Sequence, residues 1–506
     1  MNYKLPISFR GVYWIFLAYL AILPLANTTA LRNIFLLTLV CLIGYHIFFT
    51  NFLVEKDFEL RSIPLPLVVW FCFLILFPLW AEQTDVAWMN LKGQWGQSIL
   101  AWCVGIGVAL ILGRQGPSLW GLAVASTLPV VIHLTLTLLA WSGAFGTNFS
   151  DSISIGEIWS SLIQMFDSSM HGDSVSHGFP WGFRGYDPMH GNLGYAACQA
   201  IVLFVVCADI AWRKDQHDRF WAAVAAVTLC FLSVFIASSR GAVLFGIVML
   251  LIASVAIYFR NLQKKIAYKK RNSRRLNFRL LFGVLISLIF VGAFAVKIVG
   301  SDSRWVGVVD KMSVGFDIEN PIDFLCNGLS LADQEKIKYR YRNELPKYSD
   351  ELIGSLSSDG GRVVLMRAGF SLILENWRGI DGSRSTYERL IENKCGHPPV
   401  MHFAHTHQAW MDVILALGLV GALLLAWVFI FFMLEGWRNT KRLDFSAWAF
   451  ALFLITMFWI LRGFMDSVYR EHYLQMQATI ISYLYFRKYN SIDIGKNYVT
   501  SLKINV

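Results

Sequence analysis

Arg240-Gly-Ala-Val-Leu-Phe-Gly-Ile-Val-Met-Leu-Leu-Ile-Ala-Ser-Val-Ala-Ile-Tyr-Phe-Arg260 is an uncharged, mostly apolar run held between two arginines. An α-helix rises about 1.5 Å per residue, so about 20 such residues cross the roughly 30 Å hydrocarbon layer of a bilayer. The stretch therefore predicts a membrane-spanning helix. Working outward on the same criterion gives apolar cores near 11–28, 33–53, 64–80, 97–113, 119–141, 191–212, 219–238, 240–259, 280–300, 409–434, 446–463 and 472–486. The expected fold is all-α and polytopic, with about 12 transmembrane helices. Helices 1–9 fall in 1–300 with an outer loop at 142–190, and a large, partly helical outer loop fills 301–408. Helices 10–12 occupy 409–486 and an inner tail 487–506.

Orientation follows from the basic residues. With both termini inside, the inner connections carry Lys56 and Arg61; Arg114; Arg213, Lys214 and Arg219; and Arg438, Lys441 and Arg442. The connection after 240–259 adds Arg260, Lys264, Lys265, Lys269, Lys270, Arg271, Arg274, Arg275 and Arg279, and the tail adds Arg487, Lys488, Lys496 and Lys503. All obey the positive-inside rule.

Bulk properties agree. The 506 residues are 56% hydrophobic and 15% charged, with a mean hydropathy of +0.50, against about 25% charged in soluble domains. The net charge of +10 comes largely from the 260–279 run, an orientation signal beside membrane helices rather than a nucleic-acid patch, so no nucleic-acid partner is expected. Six cysteines lie in apolar segments, where a thiol acts as a small hydrophobe. Cys326 and Cys395 lie in the large loop and are the one plausible disulfide pair if that loop faces an oxidising compartment. No Cys-x-x-Cys spacing occurs. Lys4 and Arg10 ahead of 12–25 imitate a signal peptide, but the next apolar segment follows so closely that a retained first helix is expected.

Three segments carry candidate chemistry. Ile236-Ala-Ser-Ser-Arg240-Gly-Ala sets an arginine at the outer junction of two apolar helices. It either marks a helix end against a lipid headgroup or binds an anion. His405-Thr-His407-Gln-Ala-Trp-Met-Asp opens a long helix whose Gly418 and Gly421 permit close packing. An imidazole there either accepts a proton from a hydroxyl, its ordinary pKa lying near neutrality, or simply begins the helix in the headgroup layer. Asp359-Gly-Gly-Arg362-Val-Val-Leu-Met-Arg367, leading to Leu374-Glu-Asn-Trp-Arg-Gly-Ile-Asp-Gly382, places two arginines on a loop helix. They either grip phosphate oxygens or form salt bridges along an amphipathic helix.

In this order the three segments resemble the O-antigen ligase/polymerase superfamily of integral-membrane glycosyltransferases. The resemblance is carried by Ser239-Arg240-Gly241-Ala242, Gly361-Arg362, the glycine turn from Gly379 to Gly382, and His405 to Gln408 with Gly418 to Gly421. It is strongest over 230–435. Gln408 stands where the family usually has Asn, and Trp377 near its usual Pro. The resemblance implies a metal-independent enzyme without cofactors, in a Gram-negative inner membrane, with its active site periplasmic. Its expected partners are an undecaprenyl-diphosphate-linked glycan donor, a lipid A–core acceptor and membrane lipids. Arg240 and Arg362 would clamp the donor diphosphate while His407 activates the acceptor hydroxyl. Lys92, Arg184, His405 and Asp466, the last beside Arg462, are secondary candidates. The single dominant loop and the short tail after the last helix suggest the ligase. An O-antigen polymerase and an O-linked oligosaccharyltransferase are the alternatives. A transporter of lipid-linked sugars would need charges along mid-helix, whereas most polar candidates sit at the outer boundary.

Overall fold

A computed structural model describes residues 7–25, 27–49, 63–141, 190–237, 239–268, 307–342, 346–440 and 446–503. All regular structure among them is helical. The chain begins with α1 (Ile7–Ile22), α2 (Thr29–Phe49), α3 (Leu65–Leu76) and α4 (Thr84–Asn90). A π-helical turn (Leu91–Trp95) leads into α5 (Gly96–Leu112), followed by α6 (Leu119–Ser126) and α7 (Leu128–Trp141). Then come α8 (His190–Arg213), α9 (His217–Ile236) and α10 (Arg240–Tyr268). Six helices follow: α11 (Val308–Asp317), α12 (Pro321–Asn327), α13 (Leu331–Arg340), α14 (Pro346–Gly354), α15 (Asp359–Glu375) and α16 (Thr386–Cys395). The chain closes with α17 (Ala409–Thr440), α18 (Ala447–Gly463) and α19 (Glu471–Lys503).

Among the described residues, six helices are long and apolar enough to cross a membrane, or seven if α6 and α7, bent by 43° between Ser126 and Leu128, form one broken span. Shorter apolar helices cover Phe9–Ile22, Leu65–Leu79 and Ala447–Gly463, where three further spans are expected. The expected span at 280–300 and the loop at 142–190 lie outside the described residues, apart from His190. The chain is a multi-pass membrane protein. Its bundle turns large side chains such as Ile34, Leu37, Val131, Leu138, Val255, Leu423 and Trp427 outward, as a lipid-facing surface requires.

Two cores organise the chain. One fills the bundle, with Phe16, Trp70, Phe231, Phe429, Phe450 and Trp459 nearly or fully buried. Close helix approaches use small residues: Gly105 of α5 meets Ser482 and Thr479 of α19, and Gly436 of α17 meets the Ala449–Phe453 backbone of α18. The second core belongs to 307–408. Val314, Phe324, Ile337, Leu352, Val364, Leu372 and Tyr387 pack there around Leu415 of α17. Cys326 of α12 and Cys395 of α16 are joined by a disulfide with Cα atoms 5.3 Å apart.

The two cores are locked by an interruption in α17. Gly418 adopts φ +81°, a conformation that side chains disfavour, and the helical ladder breaks there. The turn 377–382 fills the break. Ile380 N–H donates to the Leu415 carbonyl (3.1 Å), Asp381 and Gly382 N–H to that of Ala416 (3.2 and 2.9 Å), and Leu419 N–H to that of Trp377 (2.8 Å). Gly379, also left-handed at φ +83°, lies with its Cα directly against the Gly418 backbone, leaving no room for a Cβ. The backbone groups freed at the break thus find partners within the protein, as buried backbone requires.

Arg260 shows how sequence position and packing can differ. In the sequence it opens the basic run; in the structure it is 2% exposed and ion-paired to Asp209 of α8 at 2.8 Å.

Candidate functional site

The turn ahead of α17 is built around Asp412. Its Oδ1 accepts from Thr406 N–H (3.0 Å) and hydroxyl (2.8 Å), and its Oδ2 from the Ser467 hydroxyl (2.5 Å). Asp412 thereby ties the histidine turn to the 464–470 turn between α18 and α19. A second tie runs from Ala409 N–H to the Asp466 carbonyl (3.2 Å). Gln408 caps α17, its side-chain oxygen accepting from Met411 N–H at 2.8 Å, which accounts for an amide at this position. His407 is held left-handed at φ +59°, a conformation costing a non-glycine residue of order 1–3 kcal/mol and concentrated at functional sites.

This framework presents two imidazoles to a set of charges. The His405 and His407 rings lie 4.5 Å apart. His407 Nδ1 is 4.0 Å from Asp466 Oδ1, and Arg470 Nη1 is 3.5 Å from His405 Nδ1. Asp466 is itself fixed: Oδ2 accepts from the Tyr195 hydroxyl (2.6 Å) and Arg462 Nη2 (3.0 Å), and Oδ1 from Ser467 N–H (2.9 Å). Burial alone would raise its pKa, but Arg462, the Tyr195 hydroxyl and His407 bring it below the usual carboxylate value. Arg462 stacks 4.8 Å over the Tyr195 ring and 4.9 Å over Phe245. Gly241 makes room for it, since a Cβ there would stand 2.7 Å from Arg462 Nη1.

Both histidines are driven toward neutrality. Burial pushes His405 down to about 3, helped by Arg470, His407 and Arg362, against the opposing pull of Asp466. Burial also lowers His407, followed by Arg362 and Arg470, while Asp466 works the other way. A neutral imidazole can accept a proton.

The sequence candidates fall as follows. Arg362, in the first turn of α15, is exposed and close enough to act on both histidines. Arg240 opens α10 and pairs with Asp359 of α15 at 2.8 Å, bridging the bundle to the loop unit. Arg367 is structural: one of its terminal nitrogens donates to the carbonyls of Gly315, Phe316 and Ile318 at the end of α11 (3.1, 3.2 and 2.5 Å). Lys92 stands exposed in the π-helical turn, and Arg184 lies outside the described residues. Sequence reading missed Tyr195, Asp412, Ser467 and Arg470. Arg470 had a usable signal, a basic residue in a turn expected to face outward, where the charge rule disfavours it.

His405, His407 and Asp466 offer ligand atoms within 4.8 Å of one another, as do Glu388, Glu392 and His402. The first set fits a divalent metal poorly. Arg470 and Arg362 already bear on the imidazoles, and both Asp466 oxygens accept other hydrogen bonds. In the second set Glu388 is half-buried, and Glu392 and His402 are exposed.

Residues 224–426 match the family model described as O-Antigen ligase, a span from α9 into α17 that contains Arg240, Asp359, Arg362, His405 and His407. No curated protein matches the chain. Over that segment, less than half of its length, the chain is similar to the O-antigen ligase/polymerase superfamily of membrane glycosyltransferase-like enzymes.

Proposed function

We propose that the protein is an O-antigen ligase, moving a glycan from undecaprenyl diphosphate to lipid A–core on the periplasmic side of the inner membrane. The observation that carries this reading is the convergence of one conformationally forced, neutral imidazole with guanidinium groups from α15 and the 464–470 turn, while Arg240 of α10 pairs with Asp359 in the first turn of α15. The helical unit over 307–408 and the match to the family model support this reading. The disulfide within that unit fits an oxidising compartment.

In the transfer, the acceptor oxygen attacks the anomeric carbon as the bond from that carbon to the diphosphate oxygen breaks. The electron pair leaves with the diphosphate and the acceptor proton passes to His407. With Nδ1 on the Asp466 side, Nε2 is the atom that takes it. Negative charge grows on the leaving group, where fixed cations each contribute about 3 kcal/mol to the transition state. Arg362 supplies one. Arg240 supplies another when the diphosphate displaces Asp359 from it, so the ion pair seen here reserves the guanidinium for an anion.

The test uses purified protein with a short undecaprenyl-diphosphate glycan and lipid A–core, separately and together, with His407→Ala as control. A product that needs lipid A–core and is lost in the variant supports the ligase. A ladder from the donor alone means a polymerase. No product in any mixture removes the reading and points to a protein acceptor or to transport.

A further inference from the structure

Beside the histidine cluster lies a cavity of about 300 Å³, bounded by the start of α2, the π-helical turn, the 383–384 corner and the start of α19. Its lining is almost wholly polar, an unusual property among these apolar helices. Two side chains in it are nine-tenths or more buried and incompletely satisfied. Arg32, 6% exposed, gives Nη2 to the Thr29 hydroxyl at 3.0 Å, while its Nε meets no hydrogen-bond acceptor and no carboxylate pairs with it among the described residues. His472, 9% exposed, has Nε2 without a partner. A buried guanidinium lacking a counter-charge costs several kcal/mol unless an anion joins it.

The rest of the wall is made by side-chain amides, by the Thr29 and Ser383 hydroxyls, and by Arg384 and Glu471, which are ion-paired to each other. Gln475 gives its NH₂ to Gln97 Oε1 at 2.7 Å and accepts from the Tyr19 hydroxyl at 3.0 Å. Gln94 donates to the Gly382 carbonyl at 2.8 Å, and Asn90 to that of Val86 at 2.8 Å. Each amide is oriented by protein contacts and keeps further donor or acceptor capacity, the chemistry that matches sugar hydroxyls. Gln94, Ser383 and Arg384 also line a smaller cleft bounded by Asp412, Ser467 and Arg470, the groups that hold the histidine turn. The cavity therefore adjoins the groups that hold the histidine turn.

We propose that this cavity binds a sugar residue bearing an anionic substituent, with Arg32 on the anion and the amides on the hydroxyls, and that it seats the acceptor glycan. The acceptor assignment rests on the ligase reading; the saccharide site does not. Its volume suits a single charged sugar, lying at the lower end of the roughly 300–1,000 Å³ typical of ligand pockets.

Binding is measured on full-length His407→Ala protein in detergent by calorimetric titration, so turnover plays no part. The probes are glucose 6-phosphate, glucose, inorganic phosphate and glycerol phosphate. The expected order has glucose 6-phosphate binding at least tenfold more tightly than each of the other three. Arg32→Gln should abolish that preference over glucose. Gln94→Ala and Gln97→Ala should weaken glucose 6-phosphate severalfold without affecting the weak binding of phosphate, which guards against an Arg32 variant that fails to fold. Equal affinity for inorganic phosphate or glycerol phosphate would make this a bare anion or lipid-headgroup site and overturn the proposal. So would an unchanged preference in folded Arg32→Gln protein. With His407 restored, Arg32→Gln should raise the KM for lipid A–core with little change in kcat. Transfer with an unaltered acceptor KM would remove the acceptor role alone, while sugar-phosphate binding without any transfer would remove the ligase reading alone.

Discussion

Helices α8 and α10 each take part in two charge clusters, one at either end. At one end Tyr195 and Arg240 belong to the histidine site; at the other, Asp209 accepts from Arg213 and Arg260. Tyr195 and Asp209 are roughly 21 Å apart along α8 at about 1.5 Å per residue. The far cluster is closed, with Asp209 and Arg260 only 2% exposed and locked together. The near cluster contains guanidinium groups, Arg362 and Arg470, that meet no carboxylate among the described residues, together with two imidazoles and an adjoining cavity. Ion pairs between helices are common to both. What separates a chemical site from a structural tie is the surplus of cation, the titratable group and the access.

The contrast can be broken by substitution. His407→Ala should lower the transfer rate about 10²–10⁴-fold, the usual contribution of a positioned proton acceptor, with unchanged thermal stability. Asp209→Asn should do the reverse. Stripping a buried arginine of its partner costs about 3–5 kcal/mol, read as a lower denaturation midpoint, while the rate per folded molecule is kept. Arg362→Ala should slow transfer about 10²–10³-fold by removing one fixed charge from the leaving group. The unfolding of Cys326→Ser should show a loss of about 2–4 kcal/mol, matched by intact protein under reducing conditions. Gly418→Ala should cost about 1–3 kcal/mol by forcing a side chain into a left-handed break, visible as a lower unfolding temperature.

The sequence carries the helices because an apolar run of sufficient length has few other stable forms in lipid. It also carries the histidine pair and Arg362, because short polar motifs stand out against such runs. It carries less of the roles. Arg362 and Arg367 look equivalent in the sequence, yet five residues on a helix turn them to different faces. One meets the imidazoles and the other caps α11. Gly418 reads as a site of close packing, whereas it breaks α17 to admit the 377–382 turn. The polar cavity draws side chains from four distant segments, each an unremarkable polar residue by itself. Such a site exists only after long-range packing, so no local pattern announces it.

The most direct test of the central claim, that a neutral His407 accepts the acceptor proton, is the pH dependence of kcat/KM for transfer, which reports groups of the free enzyme. Burial and the facing Arg362 lower the His407 pKa, so the base form is complete at neutral pH and is lost only as pH falls through that lowered value. The expected profile is flat around neutrality with an acid limb below pH 6.5, the ordinary histidine value, and Arg362→Ala should move that limb upward. A profile without an acid limb, or one whose limb ignores the loss of Arg362, would contradict it.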